Sequence, residues 1–234
     1  HRSISGILLI VTLIIFIKSR NMSKGTIVRT TVNFLTFFVV FEAAIGAVIV
    51  LYEWVGLNSS LPRIIAVPIH LVNTFGLLAC YAALYKVLLN NFKNIKQLWD
   101  RRFVFVAFLF LLSGATGSIT ALADVLFPSA SFYEGLMEDF DRTSELLTRL
   151  RILHPIVATG LSVALIIESR KIRKDYKIDV KFLQLLVIVA VTLGVLNVLS
   201  NIVLLLSIFH LAIADLLWIS YIYVSMDKIK INHQ

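Results

Sequence analysis

The sequence predicts an all-α polytopic membrane protein with seven transmembrane helices, on three observations. Of 234 residues, 59% are hydrophobic and 15% charged, with mean hydropathy +0.89. A soluble domain carries about a quarter charged residues. The apolar residues come in blocks of about 20, the length a helix needs to cross hydrocarbon, rather than as amphipathic stripes. Lysines and arginines collect between alternate blocks, as they do in cytoplasmic loops.

The blocks are read in order as spans 1–17, 31–52, 62–85, 103–127, 147–167, 182–199 and 202–225. The first opens at His1 and is closed by Lys18. The second carries Glu42 and Gly46 in its middle. The third runs from its outer end through His70 to Lys86 and holds Cys80, a lone cysteine assigned to packing. The fourth contains Ser113, Gly114, Gly117 and Ser118, small residues that favour close helix approach or leave room for the edge of a flat ligand. The fifth runs through His154 to Arg170. The sixth carries Gly194 and is parted from the seventh only by Asn197, Ser200 and Asn201, which are read as a tight hairpin. The seventh runs through His210 to Lys228.

Basic residues fix the orientation. Of the 22 lysines and arginines, 17 fall between Lys18 and Arg29, between Lys86 and Arg102, between Arg170 and Lys181, or in the tail. Those segments are cytoplasmic (or face a mitochondrial matrix), and the C-terminus with them. The net charge of +8 follows from this topology and from contact with anionic lipid, and nucleic acid is not among the expected partners.

Four of the five histidines then form a layer. The spacings from His1 to Lys18, His70 to Lys86, His154 to Arg170 and His210 to Lys228 are 17, 16, 16 and 18 residues. At ~1.5 Å per residue this puts all four imidazoles roughly 24–27 Å above the cytoplasmic face, near the outer leaflet. They stand on the odd-numbered spans, which all run the same way; the even spans carry none. Imidazole inside a membrane is costly unless it binds something, so the layer is read as two pairs of axial ligands for haem iron. A zinc site would gather mixed ligands on one point, and no cysteine or carboxylate adjoins these histidines in sequence. His233, in the polar tail, is expected to be solvated.

Other polar residues are candidates of lower rank. Arg2, Arg63, Arg149 and Arg151, at the outer ends of the histidine-bearing spans, are candidate contacts for haem propionates; interfacial anchoring is the alternative, and Arg151 has the best register with His154. Glu42 is expected to be a neutral acid bonded to a neighbour or a proton-handling group. Asp215 is expected to hold helices together by a hydrogen bond. In the outer loop, Phe132, Tyr133, Leu136 and Met137 alternate with Glu134, Glu138, Asp139 and Asp141. That pattern suits a short amphipathic helix covering the bundle top, capping a cavity or docking a partner.

These residues carry a resemblance. His1-Arg2 before an apolar helix is similar to the Glu-x-x-His-Arg motif of the haem A synthase family, cut after its Glu. Residues 69–75 (Ile-His-Leu-Val-Asn-Thr-Phe), 117–128 with 149–155 (Arg-Leu-Arg-Ile-Leu-His-Pro), and 210–218 resemble that family's other three histidine-bearing segments. The chain is identified as a member on this basis, over essentially its whole length. The resemblance implies an eight-helix fold of two pseudo-repeated four-helix bundles. An N-terminal half, residues 1–100, would lack the first helix, and His1 and His70 would bracket the substrate haem O. A C-terminal half, residues 101–234, would hold haem b between His154 and His210. The implied reaction is oxidation of a porphyrin methyl group of haem O to formyl, for cytochrome oxidase assembly. The implied partners are the lipid bilayer, haem O, haem O synthase, an unidentified electron donor and a second copy of the chain. The implied location is a prokaryotic plasma membrane, or else the mitochondrial inner membrane, with the histidines toward the outer face.

The chain departs from the family pattern. It lacks the motif Glu and the outer-loop cysteine pair, and it opens on His1 inside an apolar run. Sequence upstream is therefore expected, and the chain as it stands is expected to be inactive. Two readings compete with the enzyme: a bis-histidine b-type cytochrome or haem-binding assembly factor that modifies no haem, and a transporter or receptor with incidental histidines. Turnover of added haem O separates the first from the enzyme, and absence of haem from purified protein favours the second.

Overall fold

A computed structural model of the chain describes residues 2–90, 100–200 and 203–231, with side chains placed from residue 5 to residue 228 within those ranges. His1, the Arg2 side chain, His233 and most of the junction between the two expected halves lie outside the described residues. Among the described residues every regular element is a helix: α1 (Arg2–Ser19), α2 (Ile27–Leu51), α3 (Leu61–Asn90), α4 (Arg101–Leu126), α5 (Phe132–Phe140), α6 (Leu146–Leu150), α7 (Leu153–Tyr176), α8 (Lys181–Leu199) and α9 (Leu204–Ile231). Six are long and apolar enough to cross a membrane: α2, α3, α4, α6 continuing into α7, α8 and α9. The described part of α1 is a shorter apolar helix, Ser5–Ser19. The chain is an integral membrane protein.

Local chemistry starts and stops these helices where hydropathy alone is silent. The Thr26 hydroxyl accepts from the Arg29 N–H at the start of α2, and the Asp100 carboxylate accepts from the Phe103 N–H at the start of α4, each meeting a donor the helix leaves orphaned. The hairpin read at Asn197–Asn201 is present: α8 ends at Leu199, α9 begins at Leu204, and the two pack on each other. Asn197 donates to Ser207 at 3.0 Å and accepts from it at 3.2 Å, clasping the hairpin near its tip.

The fifth span differs from expectation. It is not one helix over residues 147–167 but a short α6, a break at Arg151–Ile152, and α7, which runs on to Tyr176. Pro155 is the cause, since it has no N–H to give the Arg151 carbonyl four residues back. That carbonyl takes the His154 N–H at 3.3 Å and the Thr120 hydroxyl at 3.4 Å instead. The C-terminal ends of α3, α7 and α9 also continue past their apolar runs, as helical stems for basic residues.

Helix α3 is the hub. It packs on α2, α4 and α9, while α7 packs on α4 and α8. One core joins α3, α4, α7, α8 and α9 through Phe75, Phe110, Leu165, Leu183, Trp218 and Tyr221. In it the Trp218 indole N–H donates to the Phe75 carbonyl at 2.8 Å. Along α3, α7 and α9 that core lies on the C-terminal side of His70, His154 and His210. α7 has no buried side chain from Leu153 to Gly160, α8 none after Val187, and α9 none before Leu217. The bundle is thus tightly packed below and open above, at the level of His154 and His210.

Ion pairs clamp both ends. At the end where α3, α7 and α9 finish, buried Lys228 of α9 donates to Asp100 and lies 3.9 Å from Glu168 of α7, and Lys86 of α3 pairs with Asp227 at 2.7 Å. At the outer end α5 is fastened by its acidic side, Glu138 and Asp139 facing Arg151. Its Phe132, Tyr133, Leu136, Met137 and Phe140 are turned outward. α5 is the short amphipathic helix expected of the loop, with its polar face toward the bundle.

Candidate haem-binding sites

Each of the three described membrane histidines sits on a glycine of the preceding spanning helix. A Cβ placed on Gly46 of α2 would stand 4.0 Å from Cε1 of His70 on α3. On Gly117 of α4 it would meet Cε1 of His154 on α7 at 2.9 Å, and on Gly194 of α8 Cε1 of His210 on α9 at 3.2 Å. The small residues of the even helices make room for imidazoles.

The residue four positions before each glycine completes the seat. A helical carbonyl accepts one bond from the N–H four residues on and keeps a second lone pair. A glycine at that later position leaves the lone pair uncovered. The His154 Nδ1 lies 3.1 Å from the Ser113 carbonyl, four before Gly117, with the Thr116 hydroxyl at 3.5 Å. The His210 ring faces the Ala190 carbonyl, four before Gly194, although its Nδ1 makes no well-aligned hydrogen bond. At His70 the position four before Gly46 is Glu42, and the side chain takes the place of the carbonyl. Glu42 Oε2 is 3.3 Å from Nδ1, close but off the hydrogen-bond axis. Glu42 also accepts from Asn73 at 2.6 Å and from Thr74 at 2.5 Å. So a carboxylate does adjoin one histidine of the layer, from the neighbouring helix, which the sequence order concealed.

His154 and His210 face each other, their ring centroids 6.3 Å apart and their planes nearly perpendicular at 84°. With nitrogen–metal bonds of about 2 Å and a ring nitrogen about 1.2 Å from the ring centre, two imidazoles on opposite faces of one metal stand about 6 Å apart. An Nδ1–H given to the Ser113 carbonyl puts the His154 lone pair on Nε2, the tautomer that ligates. Among the described residues no three His, Cys, Asp or Glu side chains converge as a cage for a bare metal ion. Two opposed imidazoles suit a metal already held in a plane by a macrocycle. The residues fit a haem.

The arginines divide. Arg63 donates to the Gly56 and Asn58 carbonyls at 2.7 and 2.6 Å and so closes the α2–α3 loop. Arg151 is buried in a cage: Nε donates to Asp139 at 2.8 Å, and its two terminal nitrogens lie 3.2 Å from Asp124 and Glu138 and reach Ser129 and the Gly135 carbonyl. A propionate could reach this guanidinium only by displacing a carboxylate of the chain. Arg149 is exposed and open. Asp215 does not make the interhelix bond expected of it, since its Oδ1 is buried without a partner. Asp139, on the outer loop, has its carboxyl held above the usual range by burial and by neighbouring Glu138, against the pull of Arg151.

Comparisons with known proteins add to this geometry. The family model COX15-CtaA, cytochrome oxidase assembly protein, matches residues 1–222. Two curated relatives, each named Protoheme IX farnesyltransferase and coming from two strains of Thermus thermophilus, are 27% identical over 240 residues. Those alignments take in 98% of this chain but 39% of each relative, so the chain spans well under half their length. No solved structure matches the chain.

Proposed function

We propose, for a chain that belongs to the COX15-CtaA family of cytochrome oxidase assembly proteins, that it serves haem A formation as a haem A synthase-like oxidoreductase. The observation that carries the reading is the opposition of His154 and His210 at 6.3 Å. In this reading those two residues hold haem b in the C-terminal half, residues 101–234. His70, with His1 as its partner, receives haem O in the N-terminal half, residues 1–100. A haem with both axial positions filled by imidazole supplies one-electron transfer.

The chain's own residues do the positioning. Ser113, Ala190 and Glu42 orient the imidazoles, and Gly117, Gly194 and Gly46 give them room. Arg149 and Arg2 are the outer-face cations proposed to meet propionates; Arg63 and Arg151 serve the loops first. Substrate chemistry is proposed as conversion of a methyl substituent of haem O to formyl by successive hydroxylations: either dioxygen supplies the oxygen atom, with two electrons from the electron donor and one water released at each hydroxylation, or water supplies it and four electrons pass in all to an acceptor. The curated relatives' name, a farnesyltransferase acting on protohaem, supports a supply of haem O close by, from a haem O synthase acting as partner. In the same reading the histidine layer lies toward the outside of a prokaryotic plasma membrane.

Protein purified from haem-replete membranes is expected to show a reduced b-type spectrum that His154→Ala and His210→Ala each abolish. Added haem O is expected to yield hydroxylated and formyl products. A spectrum with no conversion selects the electron-transfer cytochrome, a reading the facing pair favours by itself. Full haem retention in both alanine variants overturns the assignment of ligands.

A further inference from the structure

The three histidine seats share one plan but not one acceptor. Two offer the imidazole a neutral backbone carbonyl. The third offers the side chain of Glu42, and that side chain is held in place with some care. Asn73 and Thr74 stand three and four residues beyond His70 on the same face of α3, and each touches one oxygen of the carboxyl. The Asn73 amide also donates to the Phe38 carbonyl of α2 at 2.9 Å, so it bridges Glu42 to the turn beneath it. Thr74 Oγ1 lies closer to Glu42 Oε1, at 2.5 Å, than to the His70 carbonyl of its own helix, at 3.1 Å. This is the short contact of a hydroxyl to a charged oxygen. The His70 and Glu42 side chains are 27% and 23% exposed, at a depth where an acid persists only with partners.

We infer that Glu42 is a positioning residue that makes the His70 site electronically different from the His154–His210 site. A carboxylate 3.3 Å from Nδ1, even off the hydrogen-bond axis, polarises the imidazole more than a neutral carbonyl does, which makes Nε2 a more electron-rich ligand. A fixed negative charge next to the imidazole favours the more positive, oxidised state of any iron that Nε2 holds. A haem bound at His70 therefore has a lower reduction potential with Glu42 in place than without it. The inference rests on His70 as a haem ligand, and it adds the reason why the two halves would not be redox equivalents.

The test is a spectroelectrochemical titration of the purified protein loaded with ferric haem b, comparing Glu42→Gln, Glu42→Asp and His70→Ala with the unaltered chain. His70→Ala is expected to remove one haem and leave the one held by His154 and His210, which serves as the check on folding. Glu42→Gln keeps shape and hydrogen-bonding capacity but removes the charge. The midpoint of the His70-dependent haem is expected to move positive while the other midpoint stays. Glu42→Asp, which keeps the charge but draws it back by one methylene, is expected to give a smaller shift of the same sign, and it carries the test if the Gln variant does not fold. An unmoved midpoint in a variant that retains both haems overturns the role of Glu42 and leaves His70 as ligand. No haem lost in His70→Ala overturns the ligand assignment and the role of Glu42 with it.

Discussion

The two ends of this bundle's histidine layer solve one packing problem with different chemistry. In the C-terminal half, α4 and α8 present a bare carbonyl and a glycine one turn later, and the imidazoles of His154 and His210 settle over them. In the N-terminal half α2 keeps the glycine but puts Glu42 where the carbonyl would act. The seat there is looser, because a Cβ on Gly46 would stand a full van der Waals contact from His70 whereas one on Gly117 would stand well inside contact with His154. Backbone seating gives a tight, neutral pocket, and side-chain seating gives a roomier one whose charge can vary. The clamps above them follow suit, carboxylates around Arg151 in one half and loop carbonyls around Arg63 in the other.

The largest expected effect tests those clamps. Arg151→Met leaves Asp124, Glu138 and Asp139 facing one another without their cation, and Asp124 is nearly buried. Breaking a buried ionic cluster by removing one partner destabilises by about 3–5 kcal/mol. Because Arg151 stands three residues before His154, loss of the haem held by His154 and His210 is expected alongside detachment of α5. Arg63→Met removes two hydrogen bonds to carbonyls at a partly exposed site and is expected to cost about 1–3 kcal/mol, with the C-terminal haem retained. Thermal denaturation in detergent, followed by haem absorbance, reads both variants. Equal losses would erase the contrast between the two clamps.

The glycines give a graded series. In Gly117→Ala the new methyl lies 2.9 Å from Cε1 and 3.1 Å from Nδ1 of His154. The ring cannot easily recede while Nδ1 is held at the Ser113 carbonyl. Overpacking of this kind costs about 1–3 kcal/mol, and a sharp drop in bound haem is expected. Gly194→Ala, at 3.2 Å from His210, is expected to fall between, since that ring has no aligned bond to break. Gly46→Ala adds only an ordinary contact at 4.0 Å and gains up to about 1 kcal/mol of helix propensity, so it is expected to be neutral or stabilising. Haem occupancy per purified protein orders the three, and a Gly46 variant as damaging as the Gly117 variant would end the distinction between tight and loose seats.

How much of this was legible in the sequence follows from which interactions are local along a helix and which cross between helices. The spans and the hairpin are one-dimensional properties of apolar runs and the polar residues that end them, and they were readable from Lys18, Lys86, Arg170, Asn197 and Lys228. The break before His154 was hidden because residues 147–152, Leu-Thr-Arg-Leu-Arg-Ile, contain no helix breaker. Only the missing N–H of Pro155 betrays it. The seats were half visible: Gly46, Gly117 and Gly194 stood out, but which ring each faces depends on helix rotation, which hydropathy does not encode. The spacing of four from glycine to acceptor is present in the sequence and acquires meaning only beside an imidazole. Arg151 and Asp215 were misjudged for one reason. A charge's partner is set by what folds over it, and Asp124 comes to Arg151 from the end of α4 while Glu138 and Asp139 come from α5.

The smallest expected effect concerns the end opposite the histidine seats, where α9 is tied to the cap of α4 through Lys228 and Asp100 and to α3 through Asp227 and Lys86. Burial works to raise the Asp100 carboxyl. The hydrogen bond and charge of Lys228, the Phe103 N–H and the charge of Arg102 outweigh it and hold the group below its ordinary value. An acid depressed in the folded state stabilises the fold at pH values above its unfolded pKa, near 4. That contribution is lost as pH falls below this value and through the lower folded one. Since Asp100 is 40% exposed, the effect is expected to be modest, about 1 kcal/mol or less. Asp100→Asn keeps a competent helix cap but has no charge to titrate, so its stability should fall less steeply below pH 4 than that of the unaltered chain. Because the histidine seats lie at the other end of the bundle, haem held by His154 and His210 should stay bound through the same interval. Haem release running in parallel with the Asp100 titration would mean that the packed lower bundle and the open upper one are a single cooperative unit, and that the seats owe their geometry to the clamp beneath them.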